Sequence, residues 1–148
     1  MDIYRLYLNS ESKDGGSRNS AIFNTYLPVK RNNYTNYKLY VDDFNISLAT
    51  LTEDSICVKL DTAQYNSFNA RTKGVNTTIL TAFPQSKTGA RTDDLCINYQ
   101  APNSPYNITS IPHEIKVTIT DVFDSDITLD VDNFWILNLR IEAYYEEE

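Results

Sequence analysis

Apolar and polar side chains alternate in short runs through the whole chain, separated by stretches rich in Asn, Asp, Ser, Thr and Pro. Near the C-terminus, Leu137, Leu139, Ile141 and Ala143 interleave with Asn138, Arg140 and Glu142. Successive side chains of an extended backbone point to opposite sides, so the first set shares one face and the second set the other. No segment holds the period of a long amphipathic helix. The chain reads as all-β, with any chemistry carried on loops and surfaces.

The pattern predicts strands at Ile3–Leu8, Ala21–Leu27 (ended by Pro28), Tyr37–Leu51, Ile56–Leu60, Thr77–Phe83, Leu95–Tyr99, Ile115–Ile119 and Phe134–Tyr144. A further short strand is expected at Ile127–Leu129. Within the long third strand, Leu39 and Val41 share one parity while Phe44, Ile46 and Leu48 share the other. That change of phase at Asp42-Asp43 predicts a β-bulge, which re-aims a strand and increases its twist. Gly15-Gly16, in the polar loop Asn9–Asn19, can supply a positive φ. Two more long connections are expected, Asp61–Asn76 and Gln85–Asp94, and Pro102, Pro105 and Pro112 bar a continuous central strand between Tyr99 and Ile115. Roughly eight antiparallel strands with long connections describe a two-sheet sandwich, and the single jelly roll is its eight-stranded form. One domain over residues 1–148 is the natural division.

A formal net charge of −7 argues against direct nucleic-acid binding, where Lys and Arg must neutralise phosphates, and against a basic membrane-surface patch. No apolar run approaches the ~20 residues of a membrane-spanning helix. Met1-Asp2-Ile3-Tyr4-Arg5 lacks the basic and apolar regions of a signal peptide, so cytosolic synthesis is expected. Cys57 and Cys96 lie in apolar strand contexts and read as buried thiols rather than a disulfide. The N-x-S/T matches at Asn33, Asn45, Asn76 and Asn107 carry little weight without a secretory signal.

No catalytic set emerges. His113, the one histidine, stands between Pro112 and Glu114 at a strand entrance, without a nucleophile elbow nearby. Two separated cysteines and one histidine lack the paired spacing of a structural zinc site. Asp124-Ser125-Asp126 opens like a calcium loop, but Ile127 and Thr128 fall where oxygen ligands belong, and the turn glycine is missing. A solvated acidic turn over Asp121–Asp132 is the plainer reading. No cofactor and no metal are expected. Trp135 reads as a core anchor, with Phe134 and Ile136 covering the opposite face, whereas Tyr34, Tyr37, Tyr65, Tyr99 and Tyr106 are expected in or beside loops, available to an interface. Arg71 and Lys73, with Tyr65 and Phe68, share one long connection, and Lys87 and Arg91 share the next. Placed at one end of a sandwich, these two loops would form a basic patch suited to ordered association.

The N-terminal third has a further cadence. Tyr4-Arg5-Leu6-Tyr7-Leu8-Asn9-Ser10 leads through a Gly-Gly-Ser-Arg-Asn-Ser loop to Ala21-Ile22-Phe23-Asn24-Thr25-Tyr26-Leu27-Pro28, then to Tyr37-Lys38-Leu39-Tyr40-Val41-Asp42-Asp43-Phe44-Asn45-Ile46. This resembles the single jelly-roll capsid proteins of large and mid-sized double-stranded DNA viruses of eukaryotes. Ile115-Lys116-Val117-Thr118-Ile119-Thr120-Asp121 and Phe134-Trp135-Ile136-Leu137-Asn138-Leu139 are similar to the closing strands of that group. The resemblance implies a penton or minor capsid subunit in the virion, made in the host cytoplasm and not an enzyme. Its partners would be copies of itself, five in a penton, and the major capsid protein. The chain is expected to be too short for a second jelly roll. The other reading is a carbohydrate- or calcium-binding β-sandwich module.

Overall fold

The structure, a computed structural model, describes residues 1–48, 56–63, 67–70, 72–82, 95–99, 105–121, 123–125, 127, 129 and 134–146. The strands are β1 (Asp2–Asn9), β2 (Gly15–Ser17), β3 (Ser20–Asn24), β4 (Tyr34–Leu48), β5 (Ile56–Leu60), β6 (Ser67–Asn69), β7 (Gly74–Asn76), β8 (Thr78–Ala82), β9 (Leu95–Tyr99), β10 (Tyr106–Ile108), β11 (Glu114–Thr120) and β12 (Trp135–Tyr145). One sheet runs β1-β12-β4-β10, with β9 also paired to β4; the second runs β2-β3-β11-β5-β8, and β6-β7 form a separate ribbon. Every pairing is antiparallel.

The chain changes sheet between β1 and β2, β3 and β4, β4 and β5, β8 and β9, β10 and β11, and β11 and β12. The resulting facing sets, β1-β12-β4-β9/β10 and β3-β11-β5-β8, are the interlocked Greek keys of a jelly roll. The all-β sandwich expected from the alternation is therefore the observed fold.

Side-chain parity builds the core. In β12, Trp135, Leu137, Leu139, Ile141 and Ala143 are buried while the residues between them are not. They meet Ile115, Val117 and Ile119 of β11 and Ile56, Val58 and Leu60 of β5 in one apolar cluster. A slip of one residue would turn any of these strands inside out, so burial itself sets the register. Trp135 ties strand to loop. Its ring meets Phe23 edge-on at 5.9 Å, its Nε1 donates to the Arg18 carbonyl at 2.6 Å, and its backbone N–H donates to the buried Ser10 hydroxyl at 3.0 Å. Phe134, expected to help cover the opposite face, is exposed.

The bulge lies where the phase change put it. Asn138 pairs with Asp43 and Leu139 with Val41, which leaves Asp42 as the extra residue. Other expectations need correction. The second strand stops at Asn24 rather than Leu27: Thr25 makes one more bond toward β11, its N–H to the His113 carbonyl at 3.0 Å, and Tyr26 then turns the chain away at a φ of 46°. Ile127 is buried and Leu129 packs on the core, but neither belongs to a strand. The connection Asp61–Asn76 holds the β6-β7 ribbon, and the short β2 and β10 were not expected.

Candidate interaction surfaces

Strand β5 points Ile56, Val58 and Leu60 into the core, which directs Cys57 and Lys59 to the outer side of its sheet. There the Lys59 ammonium donates to Thr120 Oγ1 at 3.1 Å and to Asp124 Oδ1 at 2.5 Å. The lysine side chain retains only 13% of its exposure, so this charge must be paired. The second Asp124 oxygen accepts from Thr72 Oγ1 at 2.9 Å. Asp124 itself has a φ of 60°, in the left-handed region that Asp tolerates better than most residues. Asp121 shapes the same turn: its Oδ1 accepts the N–H groups of Phe123 at 2.8 Å and Ser125 at 3.0 Å.

These bonds pin the turn around Asp124 and the β6-β7 ribbon to one another and to β5. On these elements Val75 is 64% exposed, Phe123 is 59% exposed, and Lys73 is exposed at the ribbon's turn with a φ of 58°. The ribbon carries part of the expected interface: Phe68 lies in β6 opposite Val75, and Lys73 sits at the tip. Tyr65, Arg71, Lys87 and Arg91 lie outside the described residues, as do Asp126, Asp130 and Asp132. Of the calcium-loop resemblance, the described part is a turn in which Asp124 is held by an ammonium and a hydroxyl, and Asp121 by backbone N–H groups. Among the described residues no group of His, Cys, Asp or Glu could hold a metal ion. Beside Lys59, burial pushes the Cys57 thiol up, outweighing a hydrogen bond with Thr81, so it stays a protonated, unreactive side chain.

The outer face of the other sheet is a network of charge and aromatic rings. Arg5 and Arg140 are directly opposite on β1 and β12, an arrangement of like charges that destabilises a sheet. The bulge resolves it: Asp42 reaches Arg5 at 3.5 Å and Arg140 at 4.0 Å. Arg140 also lies 4.5 Å from the centre of the Tyr40 ring and 3.8 Å from Glu142. Tyr144 donates to Glu142 at 2.6 Å, and that bond is the chief reason its hydroxyl is pushed up to about 12.

At the end of this sheet a chain of hydrogen bonds joins β1 to β4. Tyr34 donates to Asp2 at 2.7 Å, which leaves Tyr4 to donate to Tyr34 at 2.6 Å, and the Lys30 N–H donates to the Tyr4 oxygen at 2.9 Å. Arg31 bonds Asp2 at 3.2 Å and lies 3.9 Å from the centre of the Tyr145 ring. Burial, with the bonds to Tyr4 and Asp2, raises the Tyr34 hydroxyl far above its ordinary value, while the bond from Tyr34 holds Asp2 below its own. Such a hydroxyl keeps its proton, and the cluster acts as a clasp. Tyr34, Tyr37 and Tyr106, expected near loops, belong to β4 and β10 and pack against the core. The clasp was missed, although the parity of Tyr4 with Leu6 and Leu8 signals an inward hydroxyl that needs a partner.

Compared with known proteins, the chain matches no family and no curated sequence.

Proposed function

We propose that this chain is a non-enzymatic building block of a viral capsid: a single jelly-roll penton or minor capsid subunit. It associates with copies of itself around a symmetry axis and packs against major capsid protein in the virion. The observation that carries this reading is the division of labour on the surface. Lys59, Asp124 and Thr72 are engaged with one another, whereas the apolar side chains of Val75 and Phe123 stand outward on the elements those bonds hold. A charge held in a salt bridge is poorly placed to do chemistry, and exposed apolar groups on a rigid support suit contact with another protein. The strand order adds to this, since jelly rolls serve as capsid subunits, and so does the cadence shared with single jelly-roll capsid proteins.

A closed ring needs two different surfaces on each copy that meet in a closing rotation. The β6-β7 ribbon with the Asp124 turn supplies one. A pull-down of purified major capsid protein by the immobilised chain tests the reading. Retention is expected, with loss in the double variant Val75→Asp/Phe123→Asp; equal retention by the variant and the wild type would refute the role given to this surface. The calcium-binding alternative requires Asp124 to leave Lys59, so added calcium is expected to leave the melting temperature unchanged.

A further inference from the structure

The two long sides of the sandwich differ. On one, the Tyr106 hydroxyl of β10 donates across to the Ile79 carbonyl of β8 and so joins the sheets. On the other, β1 ends its sheet, and among the described residues no strand pairs with its outer edge. A groove of about 250 Å³ runs beside this edge, between Arg5, Tyr7 and Asn9 on β1 and, across from them, Phe23 of β3 with Thr25 and Leu27 of the segment that follows it. Tyr26 stands between two of those lining residues, 83% exposed and with its backbone at a φ of 46°. Among the described residues, the Tyr26 side chain makes no hydrogen bond or ring contact that holds it there. An eight-residue edge with open N–H and C=O groups is a template for another strand.

We propose that the occupant is the β1 strand of a second copy, paired antiparallel about a two-fold axis, so that the two β1-edged sheets become one. The contact goes beyond ring closure and uses a different surface. Its argument is self-complementarity. Inward residues must face inward residues, which restricts the register to steps of two. With Arg5 opposite Arg5 of the second copy, like charges meet. With Tyr7 opposite Tyr7, the paired stretch shortens. With Tyr4 opposite Tyr4, Asp2 enters the contact, although it is already committed to Tyr34 and Arg31. With Leu6 opposite Leu6, Tyr4 faces Leu8 on the inner row. Arg5 faces Tyr7 twice on the outer row, a cation over an aromatic ring in place of a repulsion. Both outer residues are exposed: Tyr7 at 72%, and Arg5, half-exposed beside Asp42 at 3.5 Å, keeps guanidinium surface for a facing ring.

Two variants that each add one cysteine, Arg5→Cys and Tyr7→Cys, test this register when oxidised separately and when mixed, with the wild type as control for Cys57 and Cys96. A disulfide-linked dimer is expected only in the mixture, joining the two introduced cysteines. A link in either variant alone, or no link beyond the wild-type background, overturns the proposal. Because both side chains point outward, the variants should retain the wild-type far-ultraviolet circular dichroism. As a second measurement, amide exchange over Ile3–Leu8 should slow at least tenfold between dilute and concentrated wild type and not in Tyr7→Lys. Exchange independent of concentration overturns the contact, and leaves ring formation through the β6-β7 side unaffected.

Discussion

Lys59 illustrates how a single side chain can organise a surface. Its ammonium, largely withdrawn from water, requires Asp124, and Asp124 in turn holds Thr72. Asp124→Ala therefore leaves a cation without its partner, and a loss of about 1–3 kcal/mol in denaturant-measured stability is expected. Replacing Lys59 by Met in the same chain should recover part of that loss, because the unpaired charge is then gone. Gly16 is a second such position. Its φ is 75°, and an added Cβ would lie 2.1 Å from the Ser20 carbonyl oxygen, so Gly16→Ala should cost about 1–3 kcal/mol by the same assay. The Asp2–Tyr34 pair predicts a dependence on pH. A hydroxyl whose affinity for its proton rises on folding contributes fully below its ordinary pKa of 10.0, and that contribution is lost as pH climbs above it. Asp2, shifted down, contributes above its ordinary 3.8 and ceases to do so as pH falls through its lower folded value. Thermal melts should show both declines, and Tyr34→Phe should flatten the alkaline one.

Among the elements, β4 carries the most information. The parity change around Asp42 was legible in the sequence because every flanking side chain is strongly apolar or strongly polar. What the bulge accomplishes was not legible, since Arg5 and Arg140 come together only when β1 pairs with β12. Asp42→Asn should cost about 0.5–1 kcal/mol, and less at high salt. Adding Arg5→Gln should restore most of it, a coupling that a double-mutant cycle measures. Strands such as β1, β11 and β12 could be read because alternation over several residues fixes both state and face. The three-residue strands β2, β6, β7 and β10 are too short to show a period, and tertiary pairing alone defines them. Their omission is why the Asp61–Asn76 connection read as a loop rather than a ribbon.

For the whole molecule, the jelly roll followed from strand count, spacing and long connections, all of which are local properties. The surface was harder. Lys73 was identified from its charge, but the exposed pair Val75 and Phe123 was not, because each looks like a buried residue until the fold places it outside. The same holds for the clasp, whose members come from β1, β4 and the segment before it. The proposed capsid role rests on these features: an outward surface suited to contact, on elements tied together by internal pairs. The molar mass of the concentrated chain by light scattering, read beside electron-microscope images of the same sample, tests this most directly. Tyr7→Lys should be used so that β1 contacts do not obscure the result. Closed rings of one copy number are expected, dissolving to monomers in Val75→Asp/Phe123→Asp; a species that stays monomeric at high concentration, even beside major capsid protein, would contradict the account.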